Sequence, residues 1–185
     1  MKRLFIAIKI NPNEVYNNIY SSFKQNFKTD KITWVDLNNT HLTLKFLGET
    51  DENKIKEVDA ILANSIKNTC KFEININNIG IFGSKYEPRV LWLGIEKNLL
   101  LENLTTNIFN GLETIGFIKD RQNFVPHLTL GRIKNIIDKK AFQIHIDSFK
   151  NIEIQKIMIS EFHLYESVLH KTGPEYTQLK SYTLK

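Results

Sequence analysis

The stretch His41-Leu42-Thr43-Leu44 occurs again as His127-Leu128-Thr129-Leu130, in the second half of the 185-residue chain. Each copy lies in a run in which apolar and polar residues alternate, and this period of two predicts a β-strand. A glycine follows each copy, at Gly48 and at Gly131. Because one motif recurs in both halves of the chain, the sequence indicates a duplicated fold with a pseudo-twofold axis.

The spacing within each motif decides which side chains share a face. Successive side chains of a strand point to opposite faces, so the histidine and the threonine of one motif point the same way, about 7 Å apart. The leucines point the other way and anchor the strand in a core. If the pseudo-symmetry brings the two strands together, one cleft receives two imidazoles and two hydroxyls.

That set of groups suits chemistry on a phosphodiester. With an unperturbed pKa near 6.5, one imidazole can be neutral and act as a base while the other is protonated and acts as an acid. Threonine hydroxyls can donate hydrogen bonds to the non-bridging oxygens as charge builds on them. A zinc site is the rival interpretation, but zinc takes three or four protein ligands in most sites, and neither motif has a Cys, Asp or Glu on the same face.

Composition narrows the class of protein. The chain is 42% hydrophobic and 11% aromatic, which excludes intrinsic disorder. A single cysteine, Cys70, excludes an intrachain disulfide and favours a cytoplasmic protein. The net charge of +5 leans toward anionic partners. We expect no membrane segment, and the short apolar run after Arg3 ends at Lys9 without the features of a signal peptide.

The remaining pattern alternates strands with helices. Several pairs of predicted strands are joined by short turns, which favours an α+β or mixed sheet over a purely parallel one, and no linker divides the chain. Strands are predicted at 3–9, 32–35, 41–47, 72–76, 89–95, 127–133, 152–165 and 175–181. Helices are predicted after Asn11-Pro12, after Thr50 or Asp51, over 100–115 and over 138–145.

Other blocks of sequence carry a family resemblance. They are Arg3–Ile8, Trp34-Val35, the run from His41 to Glu49, the run from Pro88 to Gly94, the run from Phe124 to Arg132, and the closing pattern of Ser167, Leu169, Gly173-Pro174 and Tyr176. Together they resemble the 2H phosphoesterase superfamily and, within it, the RNA 2′,3′-cyclic phosphodiesterases, also called 2′-5′ RNA ligases. The likeness spans essentially the whole chain and is weakest over 133–154.

The resemblance implies a fold and an activity. Residues 1–185 would form a single catalytic domain of two pseudo-symmetric lobes, one motif from each half, with two mostly antiparallel sheets flanking a cleft and helices outside. It would be a cytoplasmic monomer that hydrolyses the terminal 2′,3′-cyclic phosphate of RNA, such as transfer RNA fragments, to a 2′-phosphate. The resemblance implies no metal and no cofactor. It also implies 2′-5′ ligation, in which a 5′-hydroxyl attacks the cyclic phosphate.

Two other interpretations stay open at this point. One is a sibling enzyme that acts on a cyclic phosphate of ADP-ribose or on 2′-5′ oligonucleotides. The other is a non-catalytic RNA-binding module with a basic cleft.

The resemblance also assigns roles to residues. His41 would donate a proton to the leaving 3′-oxygen, and His127 would activate water, although the sequence also permits the exchanged roles. Thr43 and Thr129 would hold phosphate oxygens, and Arg132 would add a cation. Strict alternation puts Arg132 on the opposite face from His127, unless a bulge or bend near Gly131 turns it.

For three further side chains, the odd or even position along the strand predicts which face of the sheet they occupy. Lys45 shares a face with His41, where it would attract phosphate or form an ion pair. Phe46 shares a face with the motif leucines, which predicts a core position; the alternative is stacking on a base. His163 is predicted to face solvent.

Overall fold

A computed structural model describes residues 1–67, 69–118, 124–171 and 173–185. The strands are β1 (Lys2–Lys9), β2 (Lys31–Trp34), β3 (His41–Thr50), β4 (Phe72–Gly83), β5 (Pro88–Ile95), β6 (His127–Asn135), β7 (Glu153–Ile159), β8 (Glu161–His170) and β9 (Gly173–Thr183). The helices are α1 (Glu14–Asn26), α2 (Ile55–Ser65), α3 (Leu99–Thr114) and α4 (Lys139–Asp147).

The strands form two antiparallel sheets. The four-stranded sheet has the order β3-β1-β8-β9, and the five-stranded sheet has the order β2-β6-β5-β4-β7. All the pairings described are antiparallel. Each sheet takes strands from both halves of the chain, and the two motif strands, β3 and β6, lie in different sheets. The α+β class and the two-sheet architecture expected from the sequence are confirmed.

Side-chain caps fix where the helices begin. Asn13, rather than Asn11, caps α1 by accepting a hydrogen bond from the Tyr16 amide at 2.8 Å. The buried face of α1 starts at Tyr16, while Val15 is exposed. Asp51 caps a short 3-10 turn over Glu52–Lys54 that leads into α2. α2 itself has no side-chain cap. Both α1 and α2 begin two to four residues later than the sequence pattern indicates.

One continuous core joins both sheets to the helices. Leu4, Ile6 and Ile8 of β1 are essentially inaccessible and belong to this core. The opposite face of β1 carries a separate small cluster of Phe5, Ala7 and Tyr165, with Tyr176 packed against it. One face of the four-stranded sheet therefore packs against the core. The opposite face carries the aromatic cluster, and we call this second face the inner face.

Two parts of the strand prediction are wrong. The single strand expected over 152–165 is two strands, β7 and β8, which belong to different sheets. Gly80, which lies beyond the strand predicted at 72–76, is inside β4, where the indole ring of Trp92 covers it. A Cβ at Gly80 would lie 2.5 Å from that ring, so the close approach of the indole requires glycine.

No helix in the described part of the chain has the length and apolarity needed to cross a membrane.

Candidate active site

The two motifs present their side chains as the alternation predicts. The motif leucines, Leu42, Leu44, Leu128 and Leu130, are almost completely buried. The histidines and threonines of both motifs, His41, Thr43, His127 and Thr129, are only partly buried. Strands β3 and β6 contact each other across the gap between the sheets. The polar sides of both motifs therefore line one cleft.

Each motif ends in a β-bulge at its fourth residue. In β3, Thr43 pairs with Ala7 and Lys45 pairs with Ile6, which leaves Leu44 as the extra residue. In β6, Thr129 pairs with Trp92 and Gly131 pairs with Leu91, which leaves Leu130 as the extra residue. A bulge shifts the alternation by one, so the residues that follow it exchange faces.

The bulge in β6 resolves the placement of Arg132. Arg132 pairs with Val90, two residues from Trp92, so it shares a face with Thr129 and with the cleft. A bulge was the condition that the alternation required for Arg132 to reach the cleft. The extra residue is Leu130, immediately before Gly131.

The bulge in β3 overturns both parity predictions for that strand. Lys45 does not share the face of His41: it is 5% exposed, and its Nζ donates a hydrogen bond to the Ile118 carbonyl at 3.0 Å. Phe46 is not in the core: it is 52% exposed, and its ring contacts that of Phe5 on the inner face. Both predictions were wrong because simple alternation does not allow for the extra residue, Leu44, that the bulge adds to the strand.

Main-chain carbonyls orient both imidazoles. His41 Nδ1 lies 2.6 Å from the Asn39 carbonyl oxygen, and His127 Nδ1 lies 2.8 Å from that of Val125. A carbonyl can only accept, so Nδ1 carries the hydrogen in each ring. The Nε2 atom of each ring is left to gain or lose a proton. In both copies the carbonyl belongs to the residue two positions before the histidine.

Burial and a shared cation set the proton affinity of the two rings. Burial lowers the pKa of His41, the Asn39 carbonyl raises it, and the charges of Arg132 and His127 lower it further. Burial also lowers the pKa of His127, the Val125 carbonyl raises it, and Arg132 lowers it. The charge of Arg132 thus acts on both rings, and the charge of His127 acts on His41, which agrees with the contact between β3 and β6.

Aromatic rings surround both imidazoles. The His41 ring lies 5.2 Å from Phe5 and 5.3 Å from Tyr176, and the Tyr176 ring meets it edge-on at 88°. The His127 ring lies 4.7 Å from Phe82, also edge-on. These rings restrict how the imidazoles can turn. Burial raises the pKa of the Tyr176 phenol, while the nearby charges of Arg132 and Arg3 lower it.

Within the described residues, no group of three or more His, Cys, Asp or Glu side chains is gathered closely enough to hold a metal ion.

Comparison with known proteins adds the family. The sequence model of the LigT-like phosphoesterases matches this chain twice, over residues 8–92 and 93–176. The chain belongs to the LigT-like phosphoesterase family. One matched segment contains His41 and the other contains His127, so this LigT-like phosphoesterase has one motif in each matched segment.

Relatives cover nearly the whole of this LigT-like phosphoesterase. It is 36% identical to the RNA 2′,3′-cyclic phosphodiesterase of Methanocaldococcus jannaschii over 180 residues, which span 97% of this chain and 99% of the relative. It is 37% identical to the protein of the same name from Thermotoga maritima, over 96% of this chain and 92% of that one. The crystal structure of Escherichia coli LigT with 3′-AMP superposes with a TM-score of 0.78, at 25% identity, over 99% of this chain and 98% of that one.

Two groups at the site were not predicted as such. Phe82 lies beyond the strand predicted at 72–76, so its contact with His127 had no sequence signal. Tyr176 was noted only as part of the closing pattern. It reaches His41 from β9, the other edge strand of the four-stranded sheet. The Asn39 side chain marks this approach by donating a hydrogen bond to the Pro174 carbonyl at 3.3 Å.

Proposed function

We propose that this protein hydrolyses the terminal 2′,3′-cyclic phosphate of RNA to a 2′-phosphate, with His41 and His127 as the acid and the base. The observation that carries the proposal is the pair of imidazoles in one cleft, each with Nδ1 bound to a carbonyl and Nε2 available, with Arg132 acting on both. That arrangement offers two proton-transfer groups and a cation to a single phosphorus centre.

The reaction divides between the two rings. Neutral His127 accepts a proton at Nε2 from the water that attacks phosphorus. The bond from phosphorus to the 3′-oxygen breaks, and protonated His41 donates its Nε2 proton to that oxygen. The product carries a 2′-phosphate and a free 3′-hydroxyl. Return of one proton to His41 and loss of one from His127 restore the starting state. The assignment of acid and base follows the family resemblance.

The other cleft residues stabilise the charge that develops on phosphorus. Thr43 and Thr129 share a face with their histidines, so their hydroxyls reach the non-bridging oxygens of a phosphate held between the rings. Arg132 adds a permanent cation. If a 5′-hydroxyl takes the place of water, the same transfers form a 2′-5′ phosphodiester, which is the ligase activity.

Relatives with this name support the choice of substrate. The proteins of M. jannaschii and T. maritima that match nearly the full chain are both named RNA 2′,3′-cyclic phosphodiesterase. Since all the proposed site residues come from one chain, we propose that residues 1–185 act as a single catalytic domain and as a monomer. The lone cysteine supports a cytoplasmic location.

The direct test is to incubate the protein with an oligoribonucleotide ending in a 2′,3′-cyclic phosphate, in the presence of a chelator. We expect phosphorus NMR to show a 2′-phosphate as the product. Full inhibition by the chelator, or a 3′-phosphate product, would contradict the proposal. A parallel incubation with ADP-ribose cyclic phosphate tests the sibling activity, and a preference of more than about tenfold for it, which is about 1.4 kcal/mol, would reassign the substrate.

Alanine substitutions test the assigned residues. His41→Ala and His127→Ala should each lower the rate by about 10²- to 10⁴-fold while the protein stays folded. His170→Ala is the control, because His170 is an exposed histidine outside both motifs, paired with Glu175 at the C-terminal end of β8. Full turnover in either motif variant would reject the proposed roles.

A further inference from the structure

The first residue after the bulge differs between the two motif strands. In β6 this residue is Gly131, and the side chains of Ile32 and Trp34 pack where its own side chain would lie. In β3 it is Lys45, a long cationic side chain that is only 5% exposed. One half of the fold therefore has a buried lysine at the place where the other half has no side chain.

Lys45 connects the first motif strand to the end of α3. Its Nζ donates a hydrogen bond to the carbonyl of Ile118, which lies beyond the last residue of α3, at 3.0 Å. The same ammonium group lies over the ring of Phe109 on α3, 5.5 Å from the ring centre. A carbonyl oxygen and the face of an aromatic ring both offset the hydration that a buried ammonium loses. These two contacts tie β3 to the segment that precedes the second motif in the sequence.

Phe109 extends this connection toward His127. Its ring lies 6.1 Å from that of Phe124, edge-on at 83°. Phe124 immediately precedes Val125, whose carbonyl oxygen lies 2.8 Å from His127 Nδ1. The carbonyl that orients this imidazole therefore follows a residue that packs on the ring over which Lys45 lies.

His41 is oriented in a different way, within its own sheet. The Asn39 carbonyl accepts the hydrogen bond from His41 Nδ1 at 2.6 Å. The Asn39 side chain donates a hydrogen bond to Pro174 of β9, in the same four-stranded sheet. The orientation of His127, by contrast, depends on a segment that Lys45 binds from the other sheet.

We propose that Lys45 is a positioning residue: it holds Ile118 and Phe109, and so keeps the Val125 carbonyl where it directs His127 toward the phosphorus that His41 also faces. Lys45 lies on the opposite face of β3 from His41 and does not touch the substrate. The inference rests on the proposed function and adds the contact that aligns the two rings. Alignment matters because a misplacement of about 1 Å can cost about 10²-fold in rate.

The test reads the tautomer of His127, which depends directly on the Val125 carbonyl. Lys45→Met keeps a side chain of similar length and removes the ammonium. At a pH where both imidazoles are neutral, nitrogen NMR of the labelled wild type should show hydrogen on Nδ1 of His41 and of His127. In Lys45→Met, His127 should become a mixture of the two tautomers, while His41 should not change. Lys45→Arg keeps a cationic donor and should restore the wild-type spectrum.

Steady-state kinetics provides the second readout. With uridine 2′,3′-cyclic phosphate, kcat of Lys45→Met should fall by about 10- to 100-fold. The KM should change little, because Arg132 and the two motif threonines still bind the phosphate. A variant that loses stability but keeps the wild-type kcat and tautomer would show that Lys45 is purely structural, and would overturn the inference.

Lys54→Met is the matched control, because Lys54 makes the same pair of contacts outside the motif strands. Its Nζ donates a hydrogen bond to the Ile115 carbonyl at 3.0 Å and lies 5.6 Å from the centre of the Phe117 ring. This variant should keep the His127 tautomer and the wild-type kcat. Equal changes in the two methionine variants would overturn the inference and leave the proposed function intact.

A second variant covers the case in which Lys45→Met does not fold. Phe109→Leu removes the ring between Lys45 and Phe124, so it should produce the same mixture of His127 tautomers. An unchanged tautomer in Phe109→Leu would then overturn the inference. If the wild-type protein hydrolyses no cyclic phosphate, the proposed function fails by itself, and the tautomer of His127 still decides whether Lys45 positions this ring.

Discussion

His41 and His127 are held in a setting that disfavours their protonated forms. Both rings are partly buried, and the charge of Arg132 acts on both, so the pKa of each lies below its ordinary value. A base benefits from this shift because it stays neutral. An acid does not benefit until substrate arrives, and an anionic phosphate between the rings would offset Arg132 and favour the imidazolium. Binding of the substrate thus favours the protonated form of the histidine that donates the proton.

The role of Arg132 in this balance can be measured without substrate. Arg132→Gln removes a positive charge that opposes protonation, so the pKa of both His41 and His127 should rise. NMR titration of the imidazole ring protons measures this shift directly. The pH profile of kcat/KM should move to higher pH with it. Lys134→Gln removes the same charge from an exposed residue of β6 and should move neither pKa. A fall in either pKa, or no change, would contradict this account.

The hydroxyl of Thr129 should matter mainly in the transition state. Thr129→Val keeps the shape of the side chain but removes the donor, so kcat should fall by about 10²-fold with little change in KM. Steady-state kinetics on a cyclic-phosphate substrate measures both constants. Thr129→Ser keeps the hydroxyl and should retain most of the activity. Equal damage in the two variants would show that packing, and not the hydroxyl, is what Thr129 supplies.

The sequence predicted the orientation of the motif residues well, because alternation is reliable over the four residues of H-x-T-x. It failed from the next residue onward. Lys45 and Phe46 were both assigned to the wrong face, and Arg132 could be placed only if a bulge was assumed. The extra residue of a bulge is an ordinary strand residue, here a leucine in both motifs. The alternation of polar and apolar residues therefore cannot reveal it. His163 was also misplaced: it is 5% exposed, covered beside Ala7 on the inner face.

At the scale of the elements, one close contact between neighbouring strands of the five-stranded sheet forms part of the cleft wall. The indole of Trp92 lies across Gly80 of β4, and Trp92 pairs with Thr129 of β6. The Trp92 ring therefore lies beside Thr129, on the same face of the five-stranded sheet, and rests on a glycine. The sequence shows glycines near this position but not which ring covers them, because that contact joins two strands.

Gly80→Ala tests this contact. The new Cβ would lie 2.5 Å from the Trp92 ring, and a rigid indole can relieve the clash only by moving. We expect the free energy of unfolding in urea to fall by about 1–3 kcal/mol. Glu73→Ala, an exposed position on the same strand, should change it by less than about 0.5 kcal/mol. Equal stability of Gly80→Ala and wild type would mean that Trp92 does not rest on this glycine.

At the scale of the whole molecule, strands from both halves of the chain combine in each sheet. The repeat predicted a duplicated fold, and two matches of one family model agree with it. What the repeat did not predict is the exchange of strands: β8 and β9 of the second half join the sheet that contains β3, and β2 of the first half joins the sheet that contains β6. Local patterns predict strands, but which strands become neighbours depends on long-range pairing. The contact between Tyr176 and His41, which lie on opposite edge strands of one sheet, is long-range in the same way.

The charge of the whole molecule predicts how salt should act. With a net charge of +5 and Arg132 in the cleft, binding of an RNA strand should weaken as salt concentration rises. The KM for a cyclic-phosphate oligonucleotide should rise with ionic strength, and more steeply for a longer strand. Uridine 2′,3′-cyclic phosphate, with a single phosphate, provides the reference. Equal salt dependence for all lengths would contradict an electrostatic track beyond the reacting phosphate.

The central claim is that two imidazoles from different halves of the chain meet at one phosphorus. A crystal structure with a uridine–vanadate complex, which mimics the pentacoordinate phosphorus, tests it most directly. We expect the Nε2 atoms of His41 and His127 to lie about 2.6–3.2 Å from two different oxygens of the same vanadate. A vanadate bound to only one of the two rings, or bound outside the cleft, would contradict the account.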